Sequence, residues 1–340
     1  MKKFLSMLIC TVALVLCVSG LAACVNYENE TVKIYMPDGA PALSMARLMA
    51  EENKFEKDVE YNVVDANTIQ SYVTGASPKA DLCVLPLNAA SKLLGSGENY
   101  KMLGTVTHGN LFILKKQGGE DITRENLSSL KGKTIGVIQL ANVPGLILKI
   151  ILNDAGIQFN ELGNSGQIFE DKVNLKAVNA TDVLPTDASC DYFVVPEPNA
   201  SAKIKATKGK LEFAGSLQQL YSTGDGYPQA VLVAKNSLIN SSGKFIADFI
   251  GQMKINSTWL ENEDIIAETV VNAISANITE GLTPAFTAAN LTKSVIKNCA
   301  VNFVPPERCK VEANAFLDKM IAVNPSAAST VSENFYFING

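Results

Sequence analysis

Strand-like and helix-like apolar runs alternate along most of this 340-residue chain, and that alternation restricts it to an α/β sheet architecture. Residues 31–36 are short, β-rich and alternating, and residues 42–53 follow with helical spacing through Leu43, Ala46 and Ala50. Residues 59–64 read as a second strand. Residues 80–87 read as a third, whose continuous apolar core suits a buried parallel strand. A helix over 88–94 closes at Gly95, and 106–115 is a longer β run. After Gly118 and Gly119 the pattern restarts with a strand at 133–138 and a strongly apolar helix at 143–152. In that helix Leu146, Ile147, Ile150 and Ile151 share one face. Strands at 173–178, 191–195 and 228–234 follow. From Phe245 onward the chain reads as mostly helical, through Phe245, Phe249 and Met253, then Ile265, Ile266, Thr269, Val270 and Ile274, and last Phe316, Leu317, Met320 and Ile321.

The first 24 residues carry a different signal. Lys2 and Lys3 precede an uncharged, mostly apolar run from Leu5 to Leu16, and small residues lead to Leu21-Ala22-Ala23-Cys24. This is the order of a secretory signal. The apolar run is short of the ~20 residues a spanning helix needs. Leu-Ala-Ala-Cys resembles a bacterial lipobox, which implies cleavage before Cys24 and a diacylglycerol on its thiol. Two acyl chains make a stable anchor where one is marginal. Residues 1–23 are thus expected to be a signal peptide and 24–30 a lipidated tether, placing the protein on the extracytoplasmic face of the bacterial cell membrane. An ordinary signal peptide with an incidental cysteine is the plainer alternative.

Removing residues 1–23 takes two lysines from the 29 basic residues and none from the 34 acidic ones, which leaves 27 against 34, or −7. A mildly acidic chain with no basic run lacks the electrostatic footprint of a nucleic-acid binder. About 317 residues remain, enough for two domains of ordinary size. Of seven cysteines, Cys10, Cys17 and Cys24 belong to the export segment. Cys83 and Cys190 sit in apolar runs and read as core residues. Cys299 and Cys309 flank a short segment with Pro305 and Pro306, and outside the cell they could be bridged or free. The single histidine and the lack of a Cys/His cluster argue against a metal site.

Ligands of open α/β sheets bind beyond the carboxyl ends of strands, so the loops there hold the candidate site. After the first strand, Asp38, Gly39, Ala40 and Pro41 combine a glycine that lets backbone approach a ligand with a proline suited to a helix start. The free N–H groups of that start can bind a polar solute, although a plain strand-to-helix turn accounts for the loop as well. After the third strand, Asn88 could contact a ligand or cap the next helix. Thr107, His108 and Gly109 lie in a connecting run, where His108 could meet a ligand or serve only as a hinge or surface residue. Gln139, Asn142 and Val143 open the most apolar helix, with Asn142 a candidate N-cap. Glu197, between Pro196 and Pro198, offers an acceptor or a negative charge, or is simply a solvated turn carboxylate. Tyr227 could supply a flat apolar wall. No phosphate loop and no GxSxG motif occurs. None of these loops carries an arginine, which disfavours a ligand held by an arginine fork and suits a neutral or cationic solute, such as a heterocycle.

These loops resemble a known family. The pieces are Met36-Pro37-Asp38-Gly39-Ala40-Pro41-Ala42, Thr107-His108-Gly109-Asn110-Leu111, Leu130-Lys131-Gly132-Lys133-Thr134-Ile135-Gly136-Val137, Asn142-Val143-Pro144, Asp191-Tyr192 through Pro196-Glu197-Pro198, and Asn334-Phe335-Tyr336-Phe337. The chain is similar to the taurine/nitrate/thiamine-precursor branch of ABC-transporter solute-binding proteins. The resemblance implies a type II periplasmic-binding fold, with two α/β lobes, two crossing hinge strands and a small-molecule solute between the lobes. It also implies an ABC permease and ATPase as partners, hinge closure as the mechanism, a monomer, no cofactor and no catalysis. On that fold, residues 31–111 plus 227–340 would form lobe 1 and residues 112–226 lobe 2. The segment 175–188 departs from the family by being less regular than the helix expected there. An exported enzyme on the same scaffold, or a ligand sensor for a membrane partner, are the alternatives.

Overall fold

The computed structural model describes residues 30–51, 55–163, 166–222, 224, 226–262 and 267–338. The signal peptide at 1–23, Cys24, the tether up to residue 29, and Ile265 and Ile266 lie outside the described residues.

The described strands form two six-stranded sheets. In chain order they are β1 (Val32–Pro37), β2 (Val59–Val64), β3 (Leu82–Pro86), β4 (Tyr100–Thr107), β5 (Leu111–Lys116), β6 (Thr134–Ile138), β7 (Phe159–Glu161), β8 (Val173–Val178), β9 (Tyr192–Pro196), β10 (Leu211–Ser216), β11 (Ala230–Lys235) and β12 (Val301–Val304). The helices are α1 (Ala40–Leu43), α2 (Ala46–Ala50), α3 (Leu87–Leu94), α4 (Val143–Asp154), α5 (Asn199–Ala206), α6 (Leu217–Tyr221), α7 (Asn236–Ser241), α8 (Gly243–Glu261), α9 (Ala267–Ser275), α10 (Lys293–Asn298) and α11 (Pro306–Val323). The first sheet runs β12-β4-β11-β3-β1-β2 and the second β10-β5-β9-β6-β8-β7. Pairing is parallel among β2, β1 and β3 and among β7, β8, β6 and β9; the other pairs are antiparallel.

The chain passes between sheets twice, from β4 to β5 and from β10 to β11. The result is a two-lobed, periplasmic-binding-protein-like α/β fold. The β run at 106–115 is therefore two strands rather than one, broken at the crossing residues His108, Gly109 and Asn110. Gly109 adopts φ 104°, and a Cβ there would sit 2.9 Å from the Tyr227 ring. The close approach and the positive φ both require glycine.

Side-chain alternation sorts the first lobe's core onto two faces. Val231 and Val233 of β11 enter one apolar cluster, while Ala230, Leu232 and Ala234 enter another. The first of these clusters is continuous with the core of the second lobe. The reason is α11, which packs on α3 and β4 of the first lobe and on α4 of the second. At this junction Phe316 meets both Tyr221 and Tyr227, with ring centroids 5.5 and 5.4 Å apart, and Lys319 pairs with Asp154 at 2.7 Å. Helix α4 is buried from Val143 through Leu152. That includes Lys149, whose ammonium reaches Glu161 at 2.7 Å. A buried cation is tolerated only with such a partner.

Several local expectations need correction. The helix expected over 42–53 is two short helices, α1 and α2, with Ser44 between them donating back to the Pro41 carbonyl at 2.6 Å, a local bond that competes with helix continuation. Strands β7, β10 and β12, and the first half of β4, were not visible as apolar runs. The three are edge strands, and β10 carries Glu212 and a register shift at Gly215. Cys299 and Cys309 are both free and buried. They belong to the two different clusters of the first lobe, so the sheet separates them. Cys83 and Cys190 are buried free thiols too.

Candidate functional site: strand-end loops, a crossing network and an inter-lobe cavity

The parallel strands β1, β3, β6 and β9 each run directly into a turn and a helix, as the sequence pattern requires. At the end of β1, the Asp38 carboxylate is occupied on both oxygens, accepting from the N–H of Gly39 at 2.7 Å and of Ala285 at 2.6 Å. Burial raises its pKa from the ordinary aspartate value, and those two N–H groups pull it back only in part. Gly39 takes φ 91° and has nothing within 4 Å of where a Cβ would stand, so its backbone faces open space. Ala40 is buried and Pro41 half-buried in the first turn of α1.

Asn88, at the start of α3, neither caps its helix nor points to open solvent. Its Nδ2 donates to the Ala327 carbonyl at 3.2 Å and pins the C-terminal segment. Gln139 and Asn142 are exposed at the end of β6. Gln139 holds φ 57°, and its carbonyl accepts from Asn142 N–H at 2.9 Å. Asn142 occupies the N-cap of α4 with no side-chain bond to the helix. Val143 is buried behind it.

Glu197, at the end of β9, is 2% exposed, so it is not a solvated turn residue. Its carboxylate accepts from Ser201 N–H at 3.0 Å, Ser201 Oγ at 2.7 Å and Asn298 Nδ2 at 3.0 Å. Ser201 is in the same lobe, whereas Asn298 ends α10 of the other. A second lobe-to-lobe bond runs beside it, from Lys205 Nζ to the Ala289 carbonyl at 3.0 Å.

The two crossing segments are stitched together by Asn110 and His108 of the quoted motif and by Gln218 and Gln229, which no motif singled out. Asn110 Nδ2 donates to the Glu197 carbonyl at 3.1 Å, and its Oδ1 accepts from Gln229 Nε2 at 3.0 Å. Gln218 Oε1 accepts from Leu111 N–H at 3.2 Å. His108 is 5% exposed, and its Nε2 lies 3.1 Å from both Thr105 Oγ1 and the Asn302 carbonyl. These bonds tie the crossing to β12. Thr107 Oγ1, Gln229 Oε1 and the Tyr227 hydroxyl are buried without a partner. Tyr227 is fully buried among Tyr221 and Phe316, so it forms part of the inter-lobe core. Burial drives its hydroxyl pKa well above the ordinary value.

A cavity of about 680 Å³ lies between the lobes, lined by His108 at the crossing, by Phe112, Gln218 and Gln219 of the second lobe and by Lys297 and Asn302 of the first, among others. Of the site residues named from sequence, only His108 lines it. Among the described residues there is no group of three or more His, Cys, Asp or Glu side chains that could hold a metal. No helix among them is long and apolar enough to cross a membrane.

Solved structures place this architecture in a known fold group. An ABC transporter protein from Parabacteroides distasonis superimposes with a TM-score of 0.68 at 16% identity, over 91% of this chain and 99% of that one. The periplasmic aliphatic sulphonate binding protein SsuA from Escherichia coli gives 0.60 at 13% identity, over 92% and 94%. The ligand-binding component of an ABC-type import system from Staphylococcus aureus, solved with zinc bound, gives 0.60 at 11%, over 91% and 97%. No protein-family model and no curated protein sequence matches the chain. The chain shares the two-lobed fold of these structures.

Proposed function

We propose that this protein is the extracytoplasmic solute-binding component of an ABC importer. It captures a small solute between its two lobes by hinge closure, delivers it to a permease and ATPase, and acts as a receptor rather than an enzyme. The observation that carries this reading is the pair of sheets joined by two crossings, each sheet with parallel strands that run into a turn and a helix. Only contacts that differ between open and closed states can shift such an equilibrium, and a solute meeting both lobes supplies them. Lobe 1 is residues 31–111 plus 227–340 and lobe 2 is 112–226. The solute contacts are assigned to the backbone at Gly39 and Ala40 and to the Gln139–Asn142 turn. The exposed, uncapped Asn142 amide and the absence of arginine from these turns suit a neutral or cationic solute, such as a heterocyclic vitamin precursor. The chain acts as a monomer, anchored through lipid on Cys24 after removal of residues 1–23.

A thermal-shift screen with vitamins, vitamin precursors, sulfonates, nucleosides and amino acids tests the reading. A solute at 100 times its dissociation constant adds about 2.7 kcal/mol to stability, a clear rise in melting temperature. Native mass spectrometry of the same sample reports any solute carried through purification. A chain that is empty by mass spectrometry and unshifted by every class would contradict the receptor assignment.

A further inference from the structure

Lys293 and Lys297 stand one turn apart on α10, and both line the inter-lobe cavity. Lys293 donates to the Asn262 carbonyl. Neither lysine has a described carboxylate within 4.0 Å. Like charges spaced four residues apart on a helix repel, and an anion between them removes that repulsion. Among the described residues the lining carries these two lysines and one carboxylate, Glu261. Gln218, Gln219 and Asn302 add amide groups, and Phe112 and Ile296 add apolar wall. The volume, about 680 Å³, lies within the range of small-molecule sites.

The cavity is not the cleft between the strand-end turns. Its walls come from the β12 and β10 side, where those strands are the outermost of their sheets. The turns after β1, β3 and β6 lie across the crossing strands from that edge, and Asp38, Asn88, Gln139 and Asn142 do not line it. We infer that this hinge-side cavity is a second binding site, for a small organic anion whose carboxylate or phosphate meets Lys293 and Lys297 and whose apolar body lies against Phe112 and Ile296. Because both lobes form its walls, its occupant recognises this arrangement of the lobes and loses contacts when they swing apart.

The test is calorimetric titration of the protein, produced from its full-length sequence, with phenyl phosphate and with benzoate. Binding of at least one probe is expected, weakening as salt is raised. Replacing both lysines (Lys293→Ala with Lys297→Ala) raises the dissociation constant tenfold or more. The melting temperature stays unchanged, since both side chains are exposed. Asn142→Ala, in the strand-end cleft, leaves probe binding within twofold of the parent. The inference is overturned if neither probe binds, or if the lysine replacements leave the affinity as it was. It is equally overturned if Asn142→Ala weakens binding as much as they do, since the anion would then occupy the strand-end cleft.

Discussion

The bond from Asn298 to Glu197 crosses between lobes, and removing it should loosen the contact between them. Asn298→Ala takes one of three donors from a carboxylate that is 2% exposed. A hydrogen bond to a charged group contributes about 1.5–3 kcal/mol, which corresponds to roughly a 10- to 150-fold change in an equilibrium constant. Ser201→Ala is the matched control. It removes the 2.7 Å bond from Ser201 Oγ to the same carboxylate, but donor and acceptor there share a lobe. Both variants should lower the denaturation midpoint. Only Asn298→Ala should shift the distance between the lobes. Spin labels on cysteines introduced at Asp58 and Lys131, exposed positions on different lobes, would report the distance distribution by pulsed resonance. The four described native thiols are buried and would not take the label. A distribution in Asn298→Ala that matches the parent, or the same displacement in Ser201→Ala, would refute the idea that this bond holds the lobes.

Gly109→Ala should destabilise the fold by about 2–4 kcal/mol, combining a positive-φ penalty of roughly 1–2 kcal/mol with overpacking of at least 1 kcal/mol against Tyr227. Gly118→Ala, where φ is 80° but nothing lies within 4 Å of the added Cβ, should cost only the former, so equal urea midpoints for the two variants would contradict the crossing geometry. The folded-state pKa of Asp38 is raised, chiefly by burial. Its stabilising contribution is therefore full below the unfolded carboxylate pKa and is lost as pH rises through the folded value. The gap in urea midpoint between the parent and Asp38→Asn should accordingly move in favour of the variant as pH rises from ~3 to ~7, and a gap constant across that window would count against the burial. Cys24→Ser should move the protein from the membrane fraction to the soluble fraction, and retention in the membrane would exclude lipid anchoring at that residue.

The sequence by itself determined the α/β class and the places where strand hands over to helix. Apolar runs and apolar periodicities are local, and 82–86, 134–138 and 143–152 are strongly apolar. It also marked the turns after β1, β3, β6 and β9, because glycine, proline and asparagine act within a few residues of where they stand. Edge strands such as β10 and β12 stayed hidden, since half of such a strand meets solvent or a bulge and the alternation weakens. Only the tertiary structure decided what the polar residues do. Glu197 reads as either a ligand contact or a turn carboxylate until Asn298, 101 positions away, closes on it. Tyr227 reads as a cleft wall until Phe316 covers it. Cys299 and Cys309 read as either bridged or free until a sheet separates their clusters. Of the cavity lined by Lys297 and Gln218, the sequence singled out only His108. The cavity walls come from segments far apart in the chain, and such meetings are set by long-range packing, above all by α11 against both lobes.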